Sequence, residues 1–209
     1  MSKKENNNQV CASKVKVVFF ATGNINKFNE ARNILSPYGL AVALLRMKGD
    51  EIQSDNLVEI ATSAATNAFK SIHLPLFVED AGLFIDALDG FPGPYAAYAF
   101  KTIRNSGILR LMENVRDRQA RFQSVIAYVD ETLCKPECFS GESNGEITQA
   151  ERKTAGKAAF GFDPIFQPAG SRKSFAEMTI KEKNGFSHRA MALRKFAEWY
   201  KTARLPGGK

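Results

Sequence analysis

Short apolar runs alternate along this chain with stretches whose apolar residues recur at helical spacing. Residues 15–20, VKVVFF, are nearly all apolar and read as a buried strand. Residues 21–27 read as a turn, and the helix expected over 28–35 is closed by Pro37 and Gly39. Residues 41–45 form a second strand candidate. Val58, Ala61, Ala65 and Phe69 share one helical face, which predicts a helix over 58–71. Residues 76–78 read as a short strand that ends in Glu79-Asp80-Ala81-Gly82. Gly90-Phe-Pro-Gly-Pro94 is a rigid turn, followed by a helix near 103–113. Residues 121–129 and 132–140 read as an antiparallel pair joined at Asp130-Glu131. Ile147 is expected to start another strand, and 165–166 to be a short extended piece. The last helix is expected over 188–203, ahead of Pro206-Gly-Gly. Interleaved strands and helices without a repeat or a Gly/Ser-rich linker predict one α/β unit.

Composition narrows the class. An apolar share of 44% with 24% charged residues suits a soluble globular chain. The net charge of +7 admits nucleic acid, an anionic surface or a polyphosphate as partner and does not choose among them. No apolar run approaches the ~18 residues of a membrane span. Residues 1–13 are polar, lack the apolar core of a signal peptide, and are expected to be a frayed tail, leaving 14–209 as a single domain. Cys11, Cys134 and Cys138 are an odd set that fits a reducing, cytoplasmic setting. Cys134 and Cys138 lack the second Cys/His pair of a zinc clip.

Four segments carry candidate chemistry. Thr22-Gly23-Asn24-Ile25-Asn26-Lys27 joins a buried strand to a helix. Its backbone N–H groups could cradle phosphate and Lys27 adds a charge, although the second Gly and the Lys-Ser/Thr pair of a P-loop are missing. Glu79-Asp80 follows a buried strand, and alternation lets only one of the two carboxylates face a site. A hard cation such as Mg²⁺ needs a further carboxylate or substrate oxygens, and Asp50-Glu51 is the best candidate. Phe160-Gly161-Phe162-Asp163 offers a phenyl face for a flat base and a carboxylate for its edge. Lys183, Ser187, His188 and Arg189 cluster at the start of the last helix, where donors suit an anionic or carbonyl-rich ligand. The plainer readings are an ordinary strand–helix turn, an acidic cap, core aromatics and a basic helix entry.

Taken in order, Thr22-Gly-Asn…Lys27, Glu79-Asp80…Gly82, Gly90-Phe-Pro-Gly93, Phe160-Gly-Phe-Asp163-Pro and Phe175-Ala-Glu-Met…Glu182-Lys-Asn…Ser187-His-Arg189 resemble the signatures of the inosine/xanthosine triphosphate pyrophosphatases. The likeness runs from Val15 to Ala203, and Glu51-Ile-Gln with Val78-Glu-Asp is similar to the archaeal and eukaryotic members. The resemblance implies an elongated mixed sheet flanked by helices, with two lobes and a central cleft, in a homodimer that depends on Mg²⁺. It implies hydrolysis of ITP, dITP and XTP to the monophosphate and pyrophosphate. Asp80 is then the general base and a metal ligand, and Glu51 the second ligand. Thr22 to Lys27 and Lys183 are implied to hold the triphosphate, with Ala81 close by. Phe160, Gly161, Phe162 and Asp163, with Ser187, His188 and Arg189, are implied to form the base pocket.

The chain departs from that pattern at Ala81, where a Ser or Thr is usual and a hydroxyl near the phosphates is lost. After Gly93, Pro94-Tyr-Ala-Ala-Tyr98 lacks the usual basic residue; Lys101 or Arg104 are the candidates to substitute, although their spacing is wrong for a simple swap. Ala159 stands where Gly is usual. Two other readings compete. One is a related pyrophosphatase acting on modified pyrimidine or methylated nucleotides, against which Ser187-His188-Arg189 speaks. The other is a non-catalytic basic module for nucleotide or nucleic acid, against which the mixing of acidic with basic residues speaks, as in Lys181-Glu-Lys183. A small-molecule nucleotide, and neither nucleic acid nor membrane, is the expected partner.

Overall fold

A computed structural model describes residues 16–47, 52–152 and 160–204. The elements in chain order are β1 (Lys16–Ala21), α1 (Ile25–Leu35), β2 (Leu40–Leu45), α2 (Leu57–Ile72), β3 (Leu76–Ile85), β4 (Pro92–Gly93), α3 (Ala96–Thr102), α4 (Arg104–Leu111), β5 (Gln119–Val129), β6 (Glu137–Ile147), β7 (Phe166–Pro168), α5 (Ile180–Phe186) and α6 (His188–Arg204). The strands form one open mixed sheet in the order β2-β1-β3-β5-β6-β7, with β4 beside the far end of β3.

β1 runs parallel to β2 and β3, and β3, β5, β6 and β7 continue the sheet antiparallel. β1 meets β3 only at Phe19–Leu76 and Phe20–Phe77, and β4 rejoins it at Leu83. Between those contacts, one edge of β3 from Val78 to Gly82 has no strand beside it among the described residues. Such a gap at a change of strand direction is where open α/β sheets hold ligands.

Alternation on β3 divides the core. Phe77 packs with Phe20, Tyr128 and Phe196 under α1 and α6, while Val78 packs with Val125 and Ala127 under Ala61 and Ala65 of α2. At the far end Leu83, Ile85, Phe122 and Ile147 pack with Ile108, Phe162, Phe166 and Phe175. α6 reaches the sheet closely at Gly141 of β6, where a Cβ would overlap the His188 carbonyl and stand 2.6 Å from the Ala192 nitrogen.

Several expected boundaries move. β3 continues to Ile85, so the acidic pair lies mid-strand, not at a strand end. Ten consecutive pairings with β5 extend it through Gly82. The strand expected over 132–140 begins at Glu137, because Pro136 cannot donate to a ladder. Ile147 ends β6 and does not start a strand. The helix expected near 103–113 is α4, and an unexpected helix, α3, precedes it, the two separated by a break at Arg104, whose φ is +58°. α1 starts three residues early because Asn24 caps it. Residues 1–13, Asp50, Glu51 and Ala159 lie outside the described residues.

Candidate active site

The β1–α1 turn is held by its own side chains. Thr22 Oγ1 accepts from the Asn24 N–H at 3.1 Å, and Asn24 Oδ1 accepts from the N–H groups of Asn26 and Lys27 at 3.0 and 3.2 Å. This spends the Asn24 carboxamide oxygen on the helix and points Lys27 inward. Ile25 and Asn26 are exposed and line neither hollow described below.

Two hollows meet beside the open edge of β3. One, of about 480 Å³, is lined by Thr22, Gly23, Lys27 and Asp80 and by Ile60, Ala64 and Asn67 of α2. The other, of about 340 Å³, is lined by Ala81, Phe100, Phe160, Gly161, Phe162, Asp163, His188 and Arg189. Asn24, Lys27 and Ala97 belong to both walls, so the hollows are continuous. Ala81 therefore sits on the aromatic side, not among the lysine-bearing turn where its lost hydroxyl was expected to matter. Ala97 stands at the junction.

The carboxylates of Glu79 and Asp80 diverge, as alternation requires. Both residues border the first hollow, and Asp80 also borders a further one beside Ile52, Tyr95 and Tyr98. The Glu79 side chain is wholly buried and takes three donors: Arg189 Nε at 3.0 Å and Ser124 Oγ at 2.7 Å on Oε1, and Lys27 Nζ at 2.8 Å from Oε2. The Lys27 contact is ionic and not an aligned hydrogen bond. Burial alone would raise the Glu79 pKa, but Arg189 and Lys27 outweigh it and hold the carboxyl well below the usual range.

A second set of ion pairs continues from there. Glu30 of α1 accepts from Arg189 Nη1 and from Lys183 Nζ at 3.0 Å, and Lys183 Nζ also donates to Asp163 Oδ2 at 2.7 Å. Lys183 is thus held on the aromatic side, 5.9 Å from the Phe160 ring centre, and does not line the first hollow where the triphosphate was expected. Burial raises the Asp163 pKa against the pull of Lys183. Burial would lower the Lys183 pKa, but Asp163 and Glu30 raise it. Glu30 was missed in the sequence. Its only signal is a position three residues after Lys27, on the same helical face.

The aromatic hollow is lined by Phe100, Phe122, Phe160 and Phe162. His188 stacks on Phe122 with ring centres 4.7 Å apart and planes 10° from parallel, and its Nδ1 is buried without a hydrogen-bond partner among the described residues. Burial and the Arg189 charge hold the imidazole neutral, with its pKa well below the ordinary 6.5. Phe162 is core, set edge-on to Phe100, which leaves Phe160 as the ring that can face a ligand. Gly161 sits at φ +54°, a turn glycine accommodates without strain. Ser187 is buried, and its hydroxyl oxygen accepts from the Ala190 N–H at 3.4 Å, capping α6. Lining neither hollow, it places His188 and Arg189 on the first turn.

Residues 18–199 match the Ham1 family. A dITP/XTP pyrophosphatase of Methanopyrus kandleri is 50% identical over 184 residues, covering 88% of this chain and 96% of its own length. That of Thermococcus kodakarensis is 46% identical over 182 residues, covering 87% and 96%. Among solved structures, a HAM1 protein from Coxiella burnetii superposes with a TM-score of 0.78 at 30% identity, over 90% of this chain and 100% of the other. The Staphylococcus aureus Ham1 protein does so with 0.76 at 26%, over 89% and 98%. A match that spans the β1–α1 turn, the acidic pair on β3 and the start of α6 identifies this chain as a member of the Ham1 family.

Proposed function

We propose that this protein hydrolyses dITP, ITP and XTP to the nucleoside monophosphate and pyrophosphate, removing non-standard purines from the nucleotide pool. The observation that carries this is the pair of continuous hollows. One side presents Lys27 and Asp80 for a triphosphate, and the other presents Phe160, a neutral His188 and Arg189 for a planar base. The dITP/XTP pyrophosphatases 44–50% identical to the chain support the same substrates.

In this reading Asp80 accepts a proton from water as its oxygen attacks the α-phosphorus. The new P–O bond forms as the bond to the bridging oxygen of the leaving pyrophosphate breaks. Glu79 is held by three donors and serves as their anchor instead. Lys27 stabilises charge on the phosphate oxygens. A hard cation fits the site, because Asp80 with water and phosphate oxygens is a donor set that Mg²⁺ accepts, and Glu51 is proposed as its further ligand. Mg²⁺ would neutralise charge on the triphosphate.

On the base side, a donor directed at the purine 6-position suits the keto oxygen of hypoxanthine or xanthine and opposes the amino group of adenine. A buried donor left unpaired costs about 1–3 kcal/mol, so two such contacts discriminate strongly. We also propose that the domain spans 14–209 with a cleft between two lobes, acts in the cytoplasm and forms a homodimer. Sedimentation at twice the chain mass would support the dimer, and a monomer mass would refute it.

The test is incubation with ITP, dITP, XTP, GTP, ATP and dTTP, with and without Mg²⁺, assaying pyrophosphate apart from orthophosphate. Pyrophosphate from the inosine and xanthosine nucleotides alone, and only with Mg²⁺, is expected. Its absence from every reaction overturns the reading.

A further inference from the structure

Ser124 lies in the middle of β5, opposite Ala81 of β3, with none of its surface exposed. It belongs to none of the five segments that resemble the pyrophosphatases, and it lines neither of the two hollows. Its hydroxyl nevertheless donates to Glu79 Oε1 at 2.7 Å, the oxygen that also accepts from Arg189 Nε at 3.0 Å. The other oxygen, Oε2, faces Lys27 Nζ at 2.8 Å. Glu79 therefore joins the cation of the phosphate side to the cation of the base side, and among the described residues Ser124 is the one uncharged side chain donating to it.

The three donors differ in how firmly they are mounted. Lys27 and Arg189 reach Glu79 at the ends of long side chains with several rotatable bonds, whereas the Ser124 hydroxyl stands one carbon from the backbone of an inner strand. The terminal torsion of a glutamate is broad, so two cations on long side chains alone define its carboxylate plane less sharply than a donor fixed to a strand does. A bound phosphate would also draw Lys27 away from Oε2. The carboxylate could then follow Lys27 and let Arg189 turn, unless a fixed donor holds Oε1.

We propose that Ser124 is a positioning residue for nucleotide recognition: its hydroxyl fixes the Glu79 carboxylate between Lys27 and Arg189, so that the phosphate and base contacts are set in one geometry. This rests on the nucleotide pyrophosphatase reading above. Ser124 touches no substrate and takes no part in the bond-breaking step, so its loss weakens ground-state binding and leaves the Asp80 chemistry in place. A hydrogen bond to a charged group carries enough energy for a roughly tenfold effect.

The test compares wild type, Ser124→Ala, Ser124→Cys and Ser124→Thr on dITP and dATP with Mg²⁺. Ser124→Ala is expected to raise KM for dITP about tenfold, to change kcat less than about threefold, and to lower the dITP-to-dATP ratio of kcat/KM. Ser124→Thr keeps the hydroxyl and is expected to restore the ratio. Ser124→Cys, close in size with a weaker donor, is expected to fall between. It supplies the same readout if the alanine variant does not fold. A lower Tm with unchanged KM and ratio would mean a structural role only and overturn the proposal. Wild type that releases no pyrophosphate from dITP sinks the hydrolase reading instead. Calorimetric binding of dITP then decides the role of Ser124, and equal affinity in wild type and Ser124→Ala, or no binding by either, refutes it.

Discussion

Glu79 and Asp80 are chemically alike neighbours that a strand sends to opposite faces, and their roles diverge with them. Asp80→Asn keeps the shape and one acceptor oxygen but replaces the other with a donor NH₂ and removes the proton acceptor. Pyrophosphate release should fall by about 10²–10⁴-fold, while dITP affinity measured by calorimetry stays within a few-fold. Retained turnover would reassign the base. His188→Ala removes the neutral ring on Phe122 and should lower the dITP-to-dATP ratio of kcat/KM by about 5–100-fold, the worth of one or two lost polar contacts. An unchanged ratio would place 6-position readout elsewhere. At this scale the sequence was partly legible. The divergence of Glu79 from Asp80 follows from alternation, and His188 stood out as one of two histidines beside Arg189. Glu30 did not stand out, because an acidic residue on an amphipathic helix reads as solvated. Only the packing of α1 beside α5 and α6 turns it toward Lys183 and Arg189.

Elements place these residues through a few close approaches. α6 carries His188 and Arg189, and its first turn rests on β6 at Gly141 because no side chain intervenes. Gly141→Ala should push that turn outward. A loss of about 1–3 kcal/mol, read from urea unfolding, is expected together with a reduced dITP preference. Full stability with unchanged preference would show that the helix has room to shift. This contact joins residues 47 positions apart and has no local signature. The longer helices were legible, α2 and α6 among them, whereas the seven-residue α3 and α5 were not expected. The strand ends were less legible. β3 exceeds its expected length because β5 pairs with all ten of its residues, and that pairing outweighs the punctuation suggested by Gly82.

Across the whole molecule, the buried ionisable groups set how stability depends on pH. The His188 pKa is held below 6.5 in the fold, so the unfolded chain takes up that proton first. The stability it contributes is full above pH 6.5 and is lost as pH falls below it, by about 1.4 kcal/mol per pH unit. Glu30 and Glu79, both lowered from 4.5, add losses of the same sign from about that pH downward. Thermal unfolding between pH 8 and pH 5 should therefore show a plateau above about 7 and a decline below 6.5. His188→Phe, which can keep a ring on Phe122, should remove the first part of that decline. A decline that persists in this variant would assign it to another group.

Lys27, Lys183 and Arg189 are met one for one by Glu30, Glu79 and Asp163. Three cations set against three carboxylates cancel at a distance, so this ion-pair cluster exerts little long-range pull. The chain's surplus of +7 acts instead on the multiply charged tail of a nucleotide. A nucleotide is thus drawn in by its phosphates, and its base is examined only after arrival. Raising ionic strength should slow association of dITP several-fold yet leave association of deoxyinosine, which carries no phosphate, almost unchanged. Stopped-flow traces with equal salt dependence for both would show that the pocket itself steers its ligand.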